Sequence, residues 1–296
     1  MDDQDKQFIT QQILDVGRQL YAALDSKIMT AHAQQLAQMQ DVRRLAVVQL
    51  APKNDFCLVT DHPIAYESND HTVPRGTKDD NTRNQRFCHA VESHFGRKVR
   101  ALDLGCAGGG LVFDFLIRGN AAFGIEGSDY SLRAQRAEWS IIPDYLKTCD
   151  ITKPFALMDQ RSGTKAKFDV ITMWEVLEHI EESLLPQLFA NVKSHLADGG
   201  LFVGSAATYD DVANGVSYHP TVKPETWWRE LVRQHGLEFV PMTMFQFKDF
   251  CRGSGNENAF YDADFSKNPE LGFHFVMKHR SLEAGLPSST GLAPQA

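Results

Sequence analysis

Residues 99–110, Val-Arg-Ala-Leu-Asp-Leu-Gly-Cys-Ala-Gly-Gly-Gly, constrain this chain more than any other stretch. A short apolar run breaks into a cluster of glycines, and a new apolar-periodic segment starts at Leu111. That order predicts a strand, a tight turn and a helix N-terminus. Glycines let the chain reverse sharply and let a ligand approach bare backbone. Unpaired N–H groups at the helix start, with the positive end of its dipole, favour a negatively charged ligand group. Asp103 stands just before the glycines, at the carboxyl edge where open α/β sheets bind ligands.

Around this stretch the pattern alternates. Strands are predicted at 99–104, 122–126, 145–148, 168–173 and 201–205, and helices at 111–118, 131–140 and 184–196. Such alternation means βαβ units and a mainly parallel sheet with helices on both faces. A helix at 225–235 places Trp227, Trp228, Leu231 and Val232 among its apolar positions and stops at Gly236. Of the adjacent tryptophans, one is expected to pack inward and the other outward. Strands at 237–241 and 273–278 are expected to close the sheet as an antiparallel pair. The main domain is assigned to 99–280, with an aromatic and acidic insertion at 245–270.

The flanks differ. Ile9, Ile13, Val16, Leu20, Leu24, Ile28, Leu36, Met39, Val42 and Leu45 recur at three- and four-residue spacing, which predicts one or two helices within 1–55. They pack on the main domain, or they form a homodimer through a stripe resembling a coiled-coil seam; the pattern fits both. Segment 56–98 holds a polar, turn-rich run at 61–86 and a lead-in helix at 87–95. A run of that length is either a lid over the cleft or a solvated connector. The tail 281–296, rich in Pro, Ser, Gly and Ala, is expected to be disordered.

With 43% hydrophobic residues, the 296-residue chain can bury one large core plus an accessory element. A net charge of −8 argues against a nucleic-acid partner, which calls for a basic face. Five cysteines without a Cys-x-x-Cys pair read as reduced thiols of a cytoplasmic protein. The start, Met-Asp-Asp-Gln-Asp-Lys, lacks the basic and apolar regions of a secretory signal, and no apolar run is long enough to span a membrane.

By itself the loop Gly105-Cys-Ala-Gly-Gly-Gly fits two cofactors. It reads as a degenerate dinucleotide fingerprint, with Gly105, Ala107 and Gly110 at the spaced positions, or as a methyltransferase glycine loop. Glu126 ends the next strand in Phe123-Gly-Ile-Glu-Gly-Ser, where a carboxylate can accept both ribose hydroxyls of either cofactor. Asp150 and Ile151 follow the third strand, placed to accept from an adenine amino group and to pack on the ring. Phe168-Asp-Val-Ile-Thr-Met-Trp-Glu-Val-Leu-Glu-His then runs from a strand into a polar turn, and Ala197-Asp-Gly-Gly-Leu leads into the fifth strand.

Together, Leu102-Asp-Leu-Gly-Cys, Gly124-Ile-Glu-Gly-Ser, Glu175-Val-Leu-Glu-His and Leu196-Ala-Asp-Gly-Gly resemble the class I S-adenosylmethionine (SAM)-dependent methyltransferases. The likeness covers 99–278 and is nearest to the branch of ubiquinone-biosynthesis and sugar or natural-product O-methyltransferases. It implies a Rossmann-like seven-stranded sheet and SAM as cofactor, with S-adenosylhomocysteine as product. It also implies that Asp103, Gly105, Ala107 and Gly109 hold the methionine end, Glu126 the ribose, and Asp150 with Ile151 the adenine. Trp174 and Glu175 join the cofactor pocket, although a tryptophan there is more often core packing, as Trp139 is too. Ala107 departs from the glycine usual in the family and is tolerable if its φ is negative.

Methyl transfer to a hydroxyl requires alignment and removal of a proton. His179 is the first candidate base and His71, in the suspected lid, the second. Glu175, Glu178 and His179 also resemble a divalent-metal site in some relatives of the Glu-x-x-Glu-His type, with His219 as a further ligand. A metal is possible on this reading but not favoured, so the metal set is left empty. Tyr209, Tyr218, Trp228 and the pair Phe260–Tyr261 are candidate acceptor-site aromatics, suited to a sugar, glycan or other hydroxylated small molecule. Competing readings are N-methylation, RNA methylation, an NAD-dependent oxidoreductase, and a non-catalytic SAM-binding scaffold. No Tyr-x-x-x-Lys pair follows the sheet to support hydride transfer.

Overall fold

The computed structural model describes residues 3–255 and 263–281. The expected tail and the pair Phe260–Tyr261 lie outside these residues. The chain divides into two units, Met1–Leu50 and Ala51–Ala296.

The first unit is one continuous helix, α1 (Asp3–Leu50). Proline is absent before Pro52 and no cap signal interrupts the run, so its 48 residues extend about 72 Å at the α-helical rise. Leu20, Leu24, Ile28, Met39 and Val42 on it are exposed.

The second unit opens with β1 (Phe56–Thr60), the single-turn helices α2 (Asn69–Thr72) and α3 (Gly76–Asp79), and α4 (Gln85–Phe95). Asn84 caps α4 by accepting from the Arg86 and Phe87 amides, and Gly96, at φ +64, ends it. Next come β2 (Arg100–Leu104), α5 (Gly110–Ile117), β3 (Ala121–Glu126), α6 (Tyr130–Arg133) and β4 (Leu146–Thr148). They are followed by β5 (Phe155–Asp159), β6 (Thr164–Lys165), β7 (Phe168–Trp174), α7 (Leu185–His195) and β8 (Leu196–Ala207). The chain ends with β9 (Val212–Ala213), β10 (Val216–Ser217), α8 (Glu225–Gln234), β11 (Leu237–Phe239) and β12 (Gly272–His279).

The central sheet has seven strands in the order β11-β12-β8-β7-β2-β3-β4. Strands β4, β3, β2, β7 and β8 pair in parallel, and β12 and β11 close it antiparallel. The chain leaves β2 for β3 and β4, then returns to the other side of β2 as β7. That reversal opens a crevice at the carboxyl ends of β2 and β7. Strand β7 is buried along its whole length, as expected for a parallel strand covered on both faces. Trp228 packs fully inside the core, while Trp227 stays partly open at its edge.

Two features depart from the sequence reading. A three-stranded antiparallel sheet, β1-β5-β6, stands beside the main one, with Phe56 opposite Asp159 and Thr60 opposite Phe155. The helix expected over 131–140 is broken after α6 by Gln135 and Ala137, both at φ 48. The diversion turns Glu138 inward, where its backbone N–H bonds the Gly108 carbonyl at 3.0 Å and its carboxylate accepts from Asn81 Nδ2 at 3.2 Å. The broken helix thus supports the glycine loop.

His195 ties α7 to the smaller sheet. Its Nε2 accepts from the Leu157 amide at 2.9 Å, and its Nδ1 lies 2.8 Å from the Asn191 carbonyl. Burial pulls its pKa down to about 4, so the folded protein holds it neutral while the unfolded chain protonates it near the ordinary histidine value of 6.5. Its contribution is therefore complete above about pH 6.5 and is lost as pH falls toward 4. Denaturant unfolding is expected to show a loss of roughly 3 kcal/mol across that window. His195→Gln should flatten the curve; an unchanged slope would contradict this account.

Candidate active site

The glycine loop begins where β2 ends. The Gly105 and Cys106 amides both donate to the Ile125 carbonyl, at 2.8 and 3.1 Å, which pulls the turn against β3. Gly105 has φ +78 and a Cβ there would meet Val176 Cγ2 at 2.5 Å, so side chain and backbone both exclude substitution. Ala107 overturns the condition set for it, because its φ is +44. A left-handed alanine costs roughly 1 kcal/mol, which accounts for the glycine usual at this position. It is held from both sides: its N–H donates to Glu126 Oε2 at 2.7 Å and its carbonyl accepts from Trp139 Nε1 at 2.8 Å.

At the crevice lies a cavity of about 420 Å³ whose wall includes Gly105, Ala107, Glu126, Asp150, Ile151, Trp174, Glu175 and His179. Asp103, Gly109 and His71 are not on that wall. Asp103 lies below the loop, accepting from Thr172 Oγ1 at 2.7 Å. Burial lifts its pKa to about 7 against the pull of that hydroxyl, with the Glu126 and Asp80 charges adding to the rise. Gly109, at φ +85, forms the N-cap of α5. The His71 ring meets Tyr66 edge-on, and its Nδ1 sits 3.8 Å from Asp129.

Glu126 is buried, which raises its pKa, and it also accepts from the Ser128 amide and from Thr77 Oγ1, at 3.2 and 3.3 Å. Trp174 stands edge-on to Phe87 at 5.2 Å, so it is both core packing and cavity wall. Glu175, at φ +51, accepts from Arg252 Nε and Nη2 at 3.0 and 2.7 Å. The run 61–86 also lines the cavity, through Ala65, Asp70, Thr77 and Asp80.

Beside the cavity, Glu178, His179 and His219 bring one donor atom each within 4.8 Å of one another. Glu178 Oε1 accepts from the Ala207 amide at 2.8 Å, whereas its Oε2 is buried with no hydrogen-bond partner among the described residues. His179 Nδ1 lies 2.8 Å from Asp70 Oδ2, and His219 Nδ1 lies 2.7 Å from the Tyr209 carbonyl. Both Nδ1 atoms thus donate, which leaves the two Nε2 atoms to face a cation, that of His179 once its second proton is lost. The rings are 4.7 Å apart. Burial raises Glu178 to about 7; for His179 burial works downward, but the Asp70 hydrogen bond and nearby carboxylates lift it to about 9. Of the aromatics expected at an acceptor site, Tyr218 lines the cavity and Tyr209 faces His219 at 5.3 Å. Trp228 does not, being enclosed by the core. Asp70, Thr77 and Arg252 carry no sequence signal that would have singled them out.

A glycine loop at a topological switch point, with a carboxylate ending the neighbouring strand, defines a nucleotide-binding α/β domain. Residues 74–253 match the model of a methyltransferase domain family, and the chain belongs to that family. Among solved structures it is similar to 1,6-didemethyltoxoflavin-N1-methyltransferase of Burkholderia thailandensis, crystallised with 1,6-didemethyltoxoflavin and S-adenosylhomocysteine. That pair shares 15% identity over 72% of this chain and 84% of the other, with a TM-score of 0.47. A TehB-like SAM-dependent methyltransferase from Corynebacterium glutamicum shares 15% identity over 66% of this chain and 88% of its own, with a TM-score of 0.44. The glycopeptide N-methyltransferase MtfA complexed with SAM shares 20% over 55% and 87%, with a TM-score of 0.38. No curated protein matches the sequence significantly.

Proposed function

We propose that this protein transfers the methyl group of SAM to a hydroxyl oxygen of a small molecule or glycan, with a divalent cation at the acceptor side. One observation carries the reading. Glycine-loop residues Gly105 and Ala107, Glu126, Asp150 and His179 line one cavity, and His179 shares its donor cluster with Glu178 and His219.

SAM, when bound, supplies a methyl group on a positively charged sulfur. The residues present fit it. Glu126 is a buried carboxylate on the cavity wall that accepts the ribose hydroxyls. Asp150 accepts from the adenine amino group while Ile151 packs on the ring. Gly105 leaves open the space that a Cβ would take from Val176, and Asp103 beneath the loop draws the methionine ammonium inward. Trp174 and Glu175 complete the wall.

A divalent cation, when bound, supplies Lewis acidity that eases loss of the acceptor's proton. Two imidazole nitrogens and one carboxylate oxygen suit a borderline cation, and the orphaned Glu178 Oε2 is the group such an ion would satisfy. This departs from the preference drawn from sequence. His179 then serves as a ligand in place of a free base, and His71, off the cavity wall, plays neither part. The exposed apolar side chains of α1 support the homodimer reading, and Cys57, Cys88, Cys106 and Cys149, held as thiols, support a cytoplasmic location.

Titration calorimetry with SAM, S-adenosylhomocysteine and NAD tests the cofactor. Micromolar binding of the first two with silence toward NAD is expected; binding of NAD alone would overturn the reading. Glu126→Gln should weaken SAM by about 2 kcal/mol, or ~30-fold. Transfer to hydroxylated acceptors should stop with chelator and return with manganese. Transfer to an amine that ignores chelator would move the reaction to nitrogen.

A further inference from the structure

The imidazole of His179 can work on the acceptor side only if its Nε2 lone pair is the one presented to Glu178 and His219. That choice is made outside the sheet, by the run 61–86. Ser68 Oγ accepts from the Asp70 amide at 3.2 Å and caps α2, which sets Asp70 in the first turn. Its Oδ2 then reaches His179 Nδ1 at 2.8 Å, with both side chains about one-fifth exposed (21% each). The same turn is fastened to the hairpin that carries His219. Asn69 Nδ2 donates to the Ser217 carbonyl at 2.8 Å, the Tyr218 hydroxyl donates to the Val73 carbonyl at 3.4 Å, and Arg75 pairs with Asp211.

We propose that Asp70 is a positioning residue: its carboxylate accepts the His179 Nδ1 proton and so turns the Nε2 lone pair toward Glu178 and His219. This deepens the acceptor-side reading and rests on it. The Nε2 of His179 is set only when segment 68–75 is docked, so cation affinity depends on a carboxylate outside the donor cluster. A carboxylate behind a ligating histidine fixes the tautomer and raises the ligand's basicity, and its loss typically lowers metal affinity by ~10–100-fold.

The test uses the full chain with Asp70→Ala and Asp70→Asn, the latter keeping an accepting oxygen without the charge. Calorimetric titration with Mn²⁺ alone is expected to show affinity ~10–100-fold weaker for Asp70→Ala and intermediate for Asp70→Asn. Long-range ¹H–¹⁵N spectra recorded above pH 9, where the ring is neutral, are expected to show the His179 proton on Nδ1 in the wild type and in Asp70→Asn, and a mixture in Asp70→Ala. Wild-type Mn²⁺ affinity and tautomer in Asp70→Ala would overturn the proposal. If the wild type itself binds no Mn²⁺, the cation reading fails, and the tautomer still decides the role of Asp70. Asp70 is half-buried and α2 has no buried residue, so neither variant removes core packing.

Discussion

Replacing His219 with alanine is expected to lower turnover by about 10²–10³-fold while leaving SAM affinity within about twofold. The expectation follows from where His219 sits. Its ring faces His179 at 4.7 Å and its Nδ1 is engaged by the Tyr209 carbonyl. It is absent from the wall that carries Glu126 and Asp150. Removing it takes one donor of three from the acceptor side and nothing from the cofactor side. Single-turnover methyl transfer with saturating SAM, at rising Mn²⁺, is the measurement. Partial recovery at high Mn²⁺ identifies a lost ligand. Full wild-type turnover at low Mn²⁺ would sink the acceptor-side assignment.

A second large effect is expected far from the chemistry. In β8, a Cβ on Gly204 would stand 1.7 Å from the Met173 carbonyl oxygen and 2.5 Å from Phe275 Cζ. Gly204 pairs with Met173 across the parallel β7–β8 ladder, so the first clash is with backbone that cannot rotate away. Gly204→Ala should cost more than about 4 kcal/mol, the range reached when a core is overfilled and a ladder displaced. Gly199→Ala provides the contrast. Its Cβ meets nothing within 4 Å, but its φ is +74, so only the left-handed cost of roughly 1 kcal/mol applies. Urea unfolding of the two variants separates them, and a Gly204→Ala protein as stable as Gly199→Ala would contradict the close approach of these strands.

How far the site can be read from the chain depends on sequence distance. Gly105, Glu126 and Asp150 are legible because each follows its own strand, and strand ends in an alternating α/β chain share one edge. Glu178 and His179 are legible for the same reason, as the turn after β7. Asp70 is not, since its partner His179 lies 109 residues away and its own surroundings look like any polar turn. His219 enters from sequence only as a further ligand to the Glu-x-x-Glu-His cluster, with no spacing to place it, until the fold brings its ring to His179. The sheet β1-β5-β6 is missed because β1 and β5 are separated by most of the nucleotide-binding half and each reads as a short apolar run without polar alternation, Phe-Cys-Leu-Val-Thr and Phe-Ala-Leu-Met-Asp. The break after α6 is missed because Gln135 and Ala137 are ordinary helix formers. Their left-handed turns come from Glu138 bonding the glycine loop, a tertiary demand that local propensity cannot report. Ala107 shows the same limit, its positive φ being imposed by Glu126 and Trp139.

The wall built from residues 65–80 buries almost no apolar surface, Thr77 being the enclosed member of α3 and α2 having none. It hangs on polar contacts instead: Ala65 N–H to the Gly127 carbonyl at 2.9 Å, Arg136 to the Thr77 carbonyl at 2.6 Å, and the ties to the hairpin. Segments held this way open at far lower free energy than the sheet beneath them. Two of its contacts, Thr77 to Glu126 and Asp70 to His179, end on the groups that ribose and acceptor would engage. On the proposed function, ligands that reach Glu126 compete with the fastening made by Thr77, and opening of this wall is set by a run of hydrogen bonds instead of by the core.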